Sequence, residues 1–158
     1  MTSSVEVLVL GCGAVGKTLI SRRIRHELQS EKAHGSSKLN AVTTPTTGMQ
    51  FEKIRLEGKE ITIRETGYDM ARLWHKYYKK ADVLLFAVDA SRRCQLACAS
   101  VELLRILQNP SVAEKPLIII YNKIDQALCM DVESIRQFMH IEELKTSRKV
   151  LEWYFSLL

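Results

Sequence analysis

Gly11-Cys12-Gly13-Ala14-Val15-Gly16-Lys17-Thr18 follows the pattern G-x-x-x-x-G-K-[ST]. Each position has a physical job. Glycines allow backbone conformations that aim successive N–H groups at one anion, and a helix starting just after adds the positive end of its dipole. The backbone of Gly11, Gly13, Ala14, Val15 and Gly16 then forms a phosphate cradle. Lys17 can reach β- and γ-phosphates, and the Thr18 hydroxyl can bind Mg²⁺. Cys12 reads first as a small side chain packed beneath the loop; the alternative is a thiol activated by the loop's positive field.

A second stretch, Asn122-Lys123-Ile124-Asp125, follows an apolar run. A carboxylate at Asp125 can accept two hydrogen bonds from guanine, at N1–H and the 2-amino group. Adenine offers no such pair and would leave the charge unpaired, which is costly. The stem of Lys123 can lie along the base, and Asn122 can tie this loop to the first one.

The elements that must position these residues are legible in the pattern. Val5 to Leu10 reads as a strand stopped by Gly11, and Lys17 to Gln29 as a helix. Ser30 to Thr47 is polar and reads as a long loop; loops above about 12–15 residues are usually functional or disordered. Met49–Leu56 and Ile61–Arg64 flank Glu57-Gly58-Lys59 as a hairpin. Lys53 falls where Phe51 predicts an inward residue, which implies either a bulge or one-sided exposure. Val83–Val88 and Leu117–Tyr121 are continuous apolar runs, as in strands buried on both faces. A helix from Cys94 to Leu107 separates them, another covers Asp131 to His140, and Val150–Phe155 is a last strand. Strands alternating with helices predict a doubly wound, mainly parallel α/β sheet, with the Met49–Leu56 strand antiparallel to the rest. In such sheets ligands bind beyond the carboxyl ends of strands.

Composition narrows the classes. With 158 residues the chain reads as a single domain, 1–158. No apolar run approaches the roughly 18 residues of a membrane span, and no secretory signal precedes the first strand. The four cysteines form no C-x-x-C pair and read as reduced thiols of a cytoplasmic protein. The net charge of +5 reads as solvated lysines and arginines, including Arg22, Arg23 and Arg25. No nucleic-acid recognition motif is present.

The two motifs together resemble the Ras-like small GTPases, a P-loop fold. Pro45-Thr46-Thr47-Gly48, and Leu73-Trp74 followed by Tyr77-Tyr78, are similar to the ADP-ribosylation factor (Arf) branch. The resemblance covers nearly the whole chain. It implies a monomeric switch that binds GTP or GDP with Mg²⁺. Thr18 and Thr46 would ligate the metal, with Thr47 as the alternative to Thr46, and Glu65 would act on it through water. Lys17 and Asp69 are the candidate catalytic residues, and Gly67 lies in the phosphate-sensing loop. Effectors, exchange factors and GTPase-activating proteins would dock on residues 30–48 and 65–78.

The departures from that family bear on chemistry. Glu65-Thr66-Gly67-Tyr68-Asp69 stands where D-x-x-G-Q is usual. Glu65 keeps a carboxylate, Tyr68 loses glycine's backbone freedom, and Asp69 replaces the glutamine that orients the attacking water. A carboxylate beside a γ-phosphate repels it, so slow or partner-dependent hydrolysis is expected. Asp69 as a general base, or His75 as a substitute, is the alternative within catalysis. The alternative outside it is a non-hydrolysing or nucleotide-free scaffold acting through protein contacts; an ATP-using P-loop enzyme is disfavoured by Asp125. Trp74 with Tyr77 and Tyr78 reads either as a partner surface or as packing. Residue 2 is Thr and no prenylation box is seen, so no stable lipid anchor is expected, and membranes would be reached through a partner. The family's C-terminal base loop and final helix are expected to be missing after Phe155, which would weaken nucleotide binding and leave apolar sheet surface uncovered.

Overall fold

The computed structural model describes residues 4–30, 43–126 and 129–155. Its elements run β1 (Ser4–Gly11), α1 (Lys17–Ser30), β2 (Met49–Leu56), β3 (Lys59–Thr66), a 3-10 segment (Tyr68–Lys76), β4 (Val83–Asp89), α2 (Arg93–Leu107), a 3-10 turn (Pro110–Val112), β5 (Leu117–Asn122), α3 (Val132–Phe138), α4 (Ile141–Ser147) and β6 (Val150–Phe155). They build one six-stranded sheet in the order β2-β3-β1-β4-β5-β6. Only β2 runs antiparallel to its neighbour; every other pair is parallel. The doubly wound, mainly parallel sheet expected from the sequence is therefore present.

The centre of the sheet is its driest part. Six consecutive residues of β4, from Leu84 to Asp89, are buried, so both faces of that strand are covered. Leu84, Phe86, Leu117, Ile119 and Tyr121 lie among its fully buried residues. Helix α2 contributes Leu96, Ala99, Leu103 and Ile106, at helical spacing. The hairpin closes through Glu57-Gly58, both at positive φ, which makes a two-residue turn matched to the twist of its strands. There is no bulge in it. Phe51 pairs with Arg64 and Lys53 with Thr62 in unbroken register, and Ile54 is the buried residue. Phe51 shares the face of Lys53 and is exposed, so the alternation is one-sided exposure.

Two readings gain detail. The helix expected over Asp131–His140 is α3, and a second helix that the sequence reading did not expect, α4, follows it. Asp131 caps the first by accepting from the Ser134 N–H at 2.9 Å, and His140, left-handed at φ 52°, separates it from the second. Trp74 with Tyr78 is packing and not an open surface, since both are buried and the Trp74 indole N–H donates to the Gly67 carbonyl. Of the 30–48 loop, residues 31–42 lie outside the described residues.

Because β1, β3, β4 and β5 are parallel, their carboxyl ends share one edge. That edge carries residues 11–18, 65–69, 89–91 and 122–125. At the other side of the sheet, Glu152 on β6 gathers Arg136 of α3 at 3.1 Å, Lys145 of α4 and the Tyr121 hydroxyl at 3.0 Å. Its side chain is 8% exposed. Glu152→Ala would take one partner from Arg136 and one from Lys145, which keep Glu133 and Glu142, and would leave the buried Tyr121 hydroxyl without its acceptor. The partly exposed cations soften the effect, so a loss of about 2 kcal/mol is expected, a fall in Tm of about 4–8 °C. Glu133→Ala removes a solvent-exposed partner of the same Arg136 and is expected to change stability by less than about 0.5 kcal/mol. Thermal unfolding of the two variants checks the difference.

Candidate functional site

Gly11 closes β1 opposite Ala87 of β4, and the chain then curls before entering α1. The curl is held from inside by Lys17. Its ammonium donates to the carbonyls of Gly11 and Cys12, both at 2.8 Å. Lys17 is 6% exposed. Burial pulls its pKa down, while Glu65, Cys12 and Asp69 pull the other way. Three donors and two carbonyl partners leave capacity for a phosphate oxygen.

The loop is held from outside by the turn after β5. Asn122, fully buried, donates its side-chain N–H to the Val15 carbonyl at 2.7 Å. Lys123, at φ 63°, donates to the Ala14 carbonyl at 2.9 Å and to Asp89 at 2.6 Å. Gly13 is tied to α2, its carbonyl accepting from the Gln95 amide at 3.3 Å. Gly16 sits at φ +93°, and a Cβ there would come within 2.4 Å of the Asn122 side-chain nitrogen. Asp125 is exposed on the same turn. The sequence expected Asn122 to bridge the two motifs, and it does.

Thr18, Thr46 and Glu65 converge from three separate segments. The Thr18 hydroxyl donates to Glu65 Oε1 at 2.6 Å, the Thr46 hydroxyl to the same oxygen at 2.9 Å, and the two hydroxyls are 3.0 Å apart. Thr46, not Thr47, supplies the hydroxyl. Two hydroxyls and one carboxylate are hard oxygen donors, a set that suits Mg²⁺ completed by water and phosphate oxygens. This cluster and residues 13–18 border a cavity of about 460 Å³, ordinary for a small-molecule site. Among the described residues there is no cluster of three or more His, Cys, Asp or Glu side chains able to hold a metal.

The segment from 67 to 69 is stitched to Gly48. The Gly67 N–H donates to the Gly48 carbonyl at 2.8 Å, and Asp69 accepts from the Gly48 N–H at 3.3 Å. The Gly67 N–H is thus used within the protein, and the Asp69 carboxylate is held at the cavity wall. Tyr68 sends its ring past Gly13 and its hydroxyl to the Cys98 sulfur at 3.0 Å. His75 is exposed. Sequence reasoning missed Asp89, whose side chain is fully buried against Lys123. The signal was available, since Asp89 is the last residue of β4 and strand ends on this edge carry the chemistry.

Gly16→Ala would force an L-residue into the left-handed region and drive a Cβ into Asn122. It is expected to cost about 1–3 kcal/mol, a fall in Tm of about 2–10 °C. Thermal unfolding measures it, and an unchanged Tm would show that the Asn122 contact does not constrain the loop.

The ADP-ribosylation factor family matches residues 1–155. ADP-ribosylation factor-like protein 16 of Homo sapiens is 36% identical over 137 residues, spanning 87% of this chain and 68% of that protein. ADP-ribosylation factor-like protein 1 of Drosophila melanogaster is 26% identical over 144 residues, spanning 89% and 73%. Among solved structures, the Arl6 BBS3 small GTPase of Trypanosoma brucei with bound nucleotide analogue GppNp has a TM-score of 0.79, covering 98% of this chain and 87% of that one at 19% identity. The loop curled on its own lysine and locked from outside by an asparagine lies within the matched span, and the chain belongs to the ADP-ribosylation factor family.

Proposed function

We propose that this protein is a guanine-nucleotide switch that binds GTP or GDP with Mg²⁺ and hydrolyses GTP slowly on its own. The observation that carries it is the meeting of Thr18, Thr46 and Glu65 within 3.0 Å at the cavity of residues 13–18. Thr18 belongs to the phosphate loop and Thr46 to the segment before β2. A metal and a γ-phosphate placed between them would hold both segments together, and loss of the γ-phosphate would release Thr46. That is an order change driven by one ligand group. The bound nucleotide analogue of the Trypanosoma brucei neighbour supports the same reading.

Roles follow from position. Lys17 would neutralise the β- and γ-phosphates, and the N–H groups of residues 13–18 would cradle them. Asp125 would select guanine, with Asn122 and Lys123 holding its turn against the phosphate loop. Glu65 reaches the two threonine hydroxyls directly, so its extra methylene is accommodated. Asp69 supports slow hydrolysis, because its carboxylate stands at the wall of the phosphate cavity where an amide would orient water without repelling the nucleophile or the phosphate. Partner proteins would read residues 43–48 and 65–78, where Arg72, Leu73, His75 and Lys76 are exposed beside a cavity of about 480 Å³ against α2. The protein would work in the cytoplasm, as a monomer, and reach membranes through such partners. No helix among the described residues is long and apolar enough to cross one.

The runner-up is a scaffold that holds nucleotide without turning it over. The observation favouring it is the Tyr68 side chain, which spans the loop at Gly13 and is anchored on Cys98.

Thermal unfolding with Mg²⁺ separates the classes. GDP or GTP at about 100 times Kd is expected to add about 2.7 kcal/mol, a rise in Tm of about 5–10 °C, with no rise for ATP. Lys17→Ala is expected to lose the rise. Thr46→Val is expected to weaken GTP about tenfold and GDP much less, since it removes a ligand needed only with the γ-phosphate. No rise with any nucleotide from folded protein would sink this reading.

Single-turnover hydrolysis tests the role of Asp69. Asp69→Gln removes the repelling charge and supplies an amide, so an increase of about tenfold is expected, about 1.4 kcal/mol off the barrier. A fall in rate would instead make Asp69 a base. No detectable turnover in either protein would favour the scaffold.

A further inference from the structure

Beneath the phosphate loop lies a sulfur pair that the nucleotide reading leaves unused. Cys12 Sγ is 3.6 Å from Cys98 Sγ, and the Tyr68 hydroxyl is 3.0 Å from the latter. These residues belong to three different parts of the fold: the loop after β1, helix α2 and the segment after β3. Cys12 is 2% exposed, whereas Cys98 is half-buried. Both are free thiols, in contact, and 86 positions apart in the chain. Sulfur–sulfur chemistry is what such contact permits. A disulfide needs the sulfurs at about 2.05 Å, so closure asks for an approach of roughly 1.5 Å.

We propose that Cys12 and Cys98 form a dithiol oxidation site, which a hydroperoxide closes into a reversible disulfide that clamps the phosphate loop to α2. The reaction balances in two steps. The Cys98 sulfur attacks the peroxide; the O–O bond breaks, Cys98 becomes a sulfenic acid, and the departing oxygen leaves as water or alcohol with the Cys98 proton. The Cys12 sulfur then attacks the Cys98 sulfur; the S–O bond breaks and hydroxide leaves as water with the Cys12 proton. Two thiols lose two electrons and two protons, and the peroxide takes them up.

The order of steps follows from the surroundings. Cys98 is the more exposed of the two residues. Burial and the Cys98 contact push the Cys12 thiol up to about 12, which makes it a poor first nucleophile. Once Cys98 is a sulfenic acid, a partner already in contact needs no encounter, and proximity compensates for weak ionisation. Closure would be felt at the phosphate site. The carbonyl of Cys12 holds Lys17, so pulling its side chain toward α2 strains that anchor. It also takes the Cys98 thiol away from the Tyr68 hydroxyl. This consequence rests on the nucleotide reading above; the disulfide itself does not.

The test uses the whole 158-residue chain, reduced, freed of reductant and treated with a few equivalents of hydrogen peroxide. Intact mass is expected to fall by about 2 Da. A non-reducing tryptic map is expected to join peptide 1–17 to peptide 94–105. Cys94 shares the second peptide, so the map is repeated on Cys94→Ser, where the link is expected to persist, and on Cys98→Ser, where it is expected to vanish. Dithiothreitol is expected to reverse it. Cys98 accumulating as sulfinic acid beside a free Cys12 would overturn the proposal, as would a link to Cys94 or Cys129 in place of Cys98. In the oxidised protein, GDP dissociation is expected to be at least threefold faster. An unchanged rate would overturn the coupling to the phosphate site. Absence of any GDP binding in reduced protein would count against the nucleotide reading and leave the peptide map to decide the disulfide.

Discussion

Lys17 carries its charge into the protein with two backbone carbonyls and no carboxylate paired to it among the described residues. Burying that ammonium is costly even with Glu65 and Asp69 favouring its charge, and the chain offsets the cost by bending. Two consecutive carbonyls, Gly11 and Cys12, can converge on one nitrogen only if the backbone curls around it. The curl turns the loop's N–H groups away from ordinary strand or helix partners and leaves them for an anion. A bound phosphate would add negative charge from the open side. The same constraint explains the positive φ at Gly11, Ala14 and Gly16, which lie on this curl.

A loop so strained must be held from outside, and the turn after β5 does that. Asn122 and Lys123 both donate to carbonyls of the loop, at Val15 and Ala14. Neither contact exists unless β5 lies next to β4 and β4 next to β1, because only that order brings the two strand ends to one edge. The buried apolar runs of β4 and β5 therefore act on the site at a distance. They fix a register in which Asp89 and Asn122 stand opposite each other, and Asp89 then orients Lys123. The turn that would carry base selection is positioned by hydrophobic packing and held by three side-chain hydrogen bonds.

Much of this was legible because it rests on short-range rules. Glycines and a lysine at fixed spacing announce the loop, apolar runs announce the central strands, and Glu57-Gly58 announces the hairpin. What the pattern missed or left open has a common physical form. The start of α4 goes unread because His140, its cap, adopts a left-handed conformation that its residue type does not announce. Trp74 buries its indole by donating to the Gly67 carbonyl, a long-range partner no local pattern reveals. Phe51 is exposed because Ile54 and not Phe51 sets the inward face of β2. The choice of Thr46 over Thr47 likewise needs the position of Glu65, since adjacent residues point in different directions and only one hydroxyl can meet that carboxylate.

Under the proposed function, the segment 65–69 would let binding and turnover separate in one fold. Glu65 faces inward and meets the hydroxyls of Thr18 and Thr46, so the part of the segment that would touch a metal keeps hard oxygen donors. Tyr68 and Asp69 face other neighbours, Cys98 and the Gly48 N–H, and bring no amide to the phosphate cavity. Under the proposed function, affinity would depend on the first set of contacts and hydrolysis on the second. A sequence can thus change residues 68 and 69 without disturbing the lysine curl or the threonine pair. The contacts given up for water alignment are not lost to the fold. They tie this segment to α2 and to the start of β2, the elements through which a change at the phosphate would have to travel.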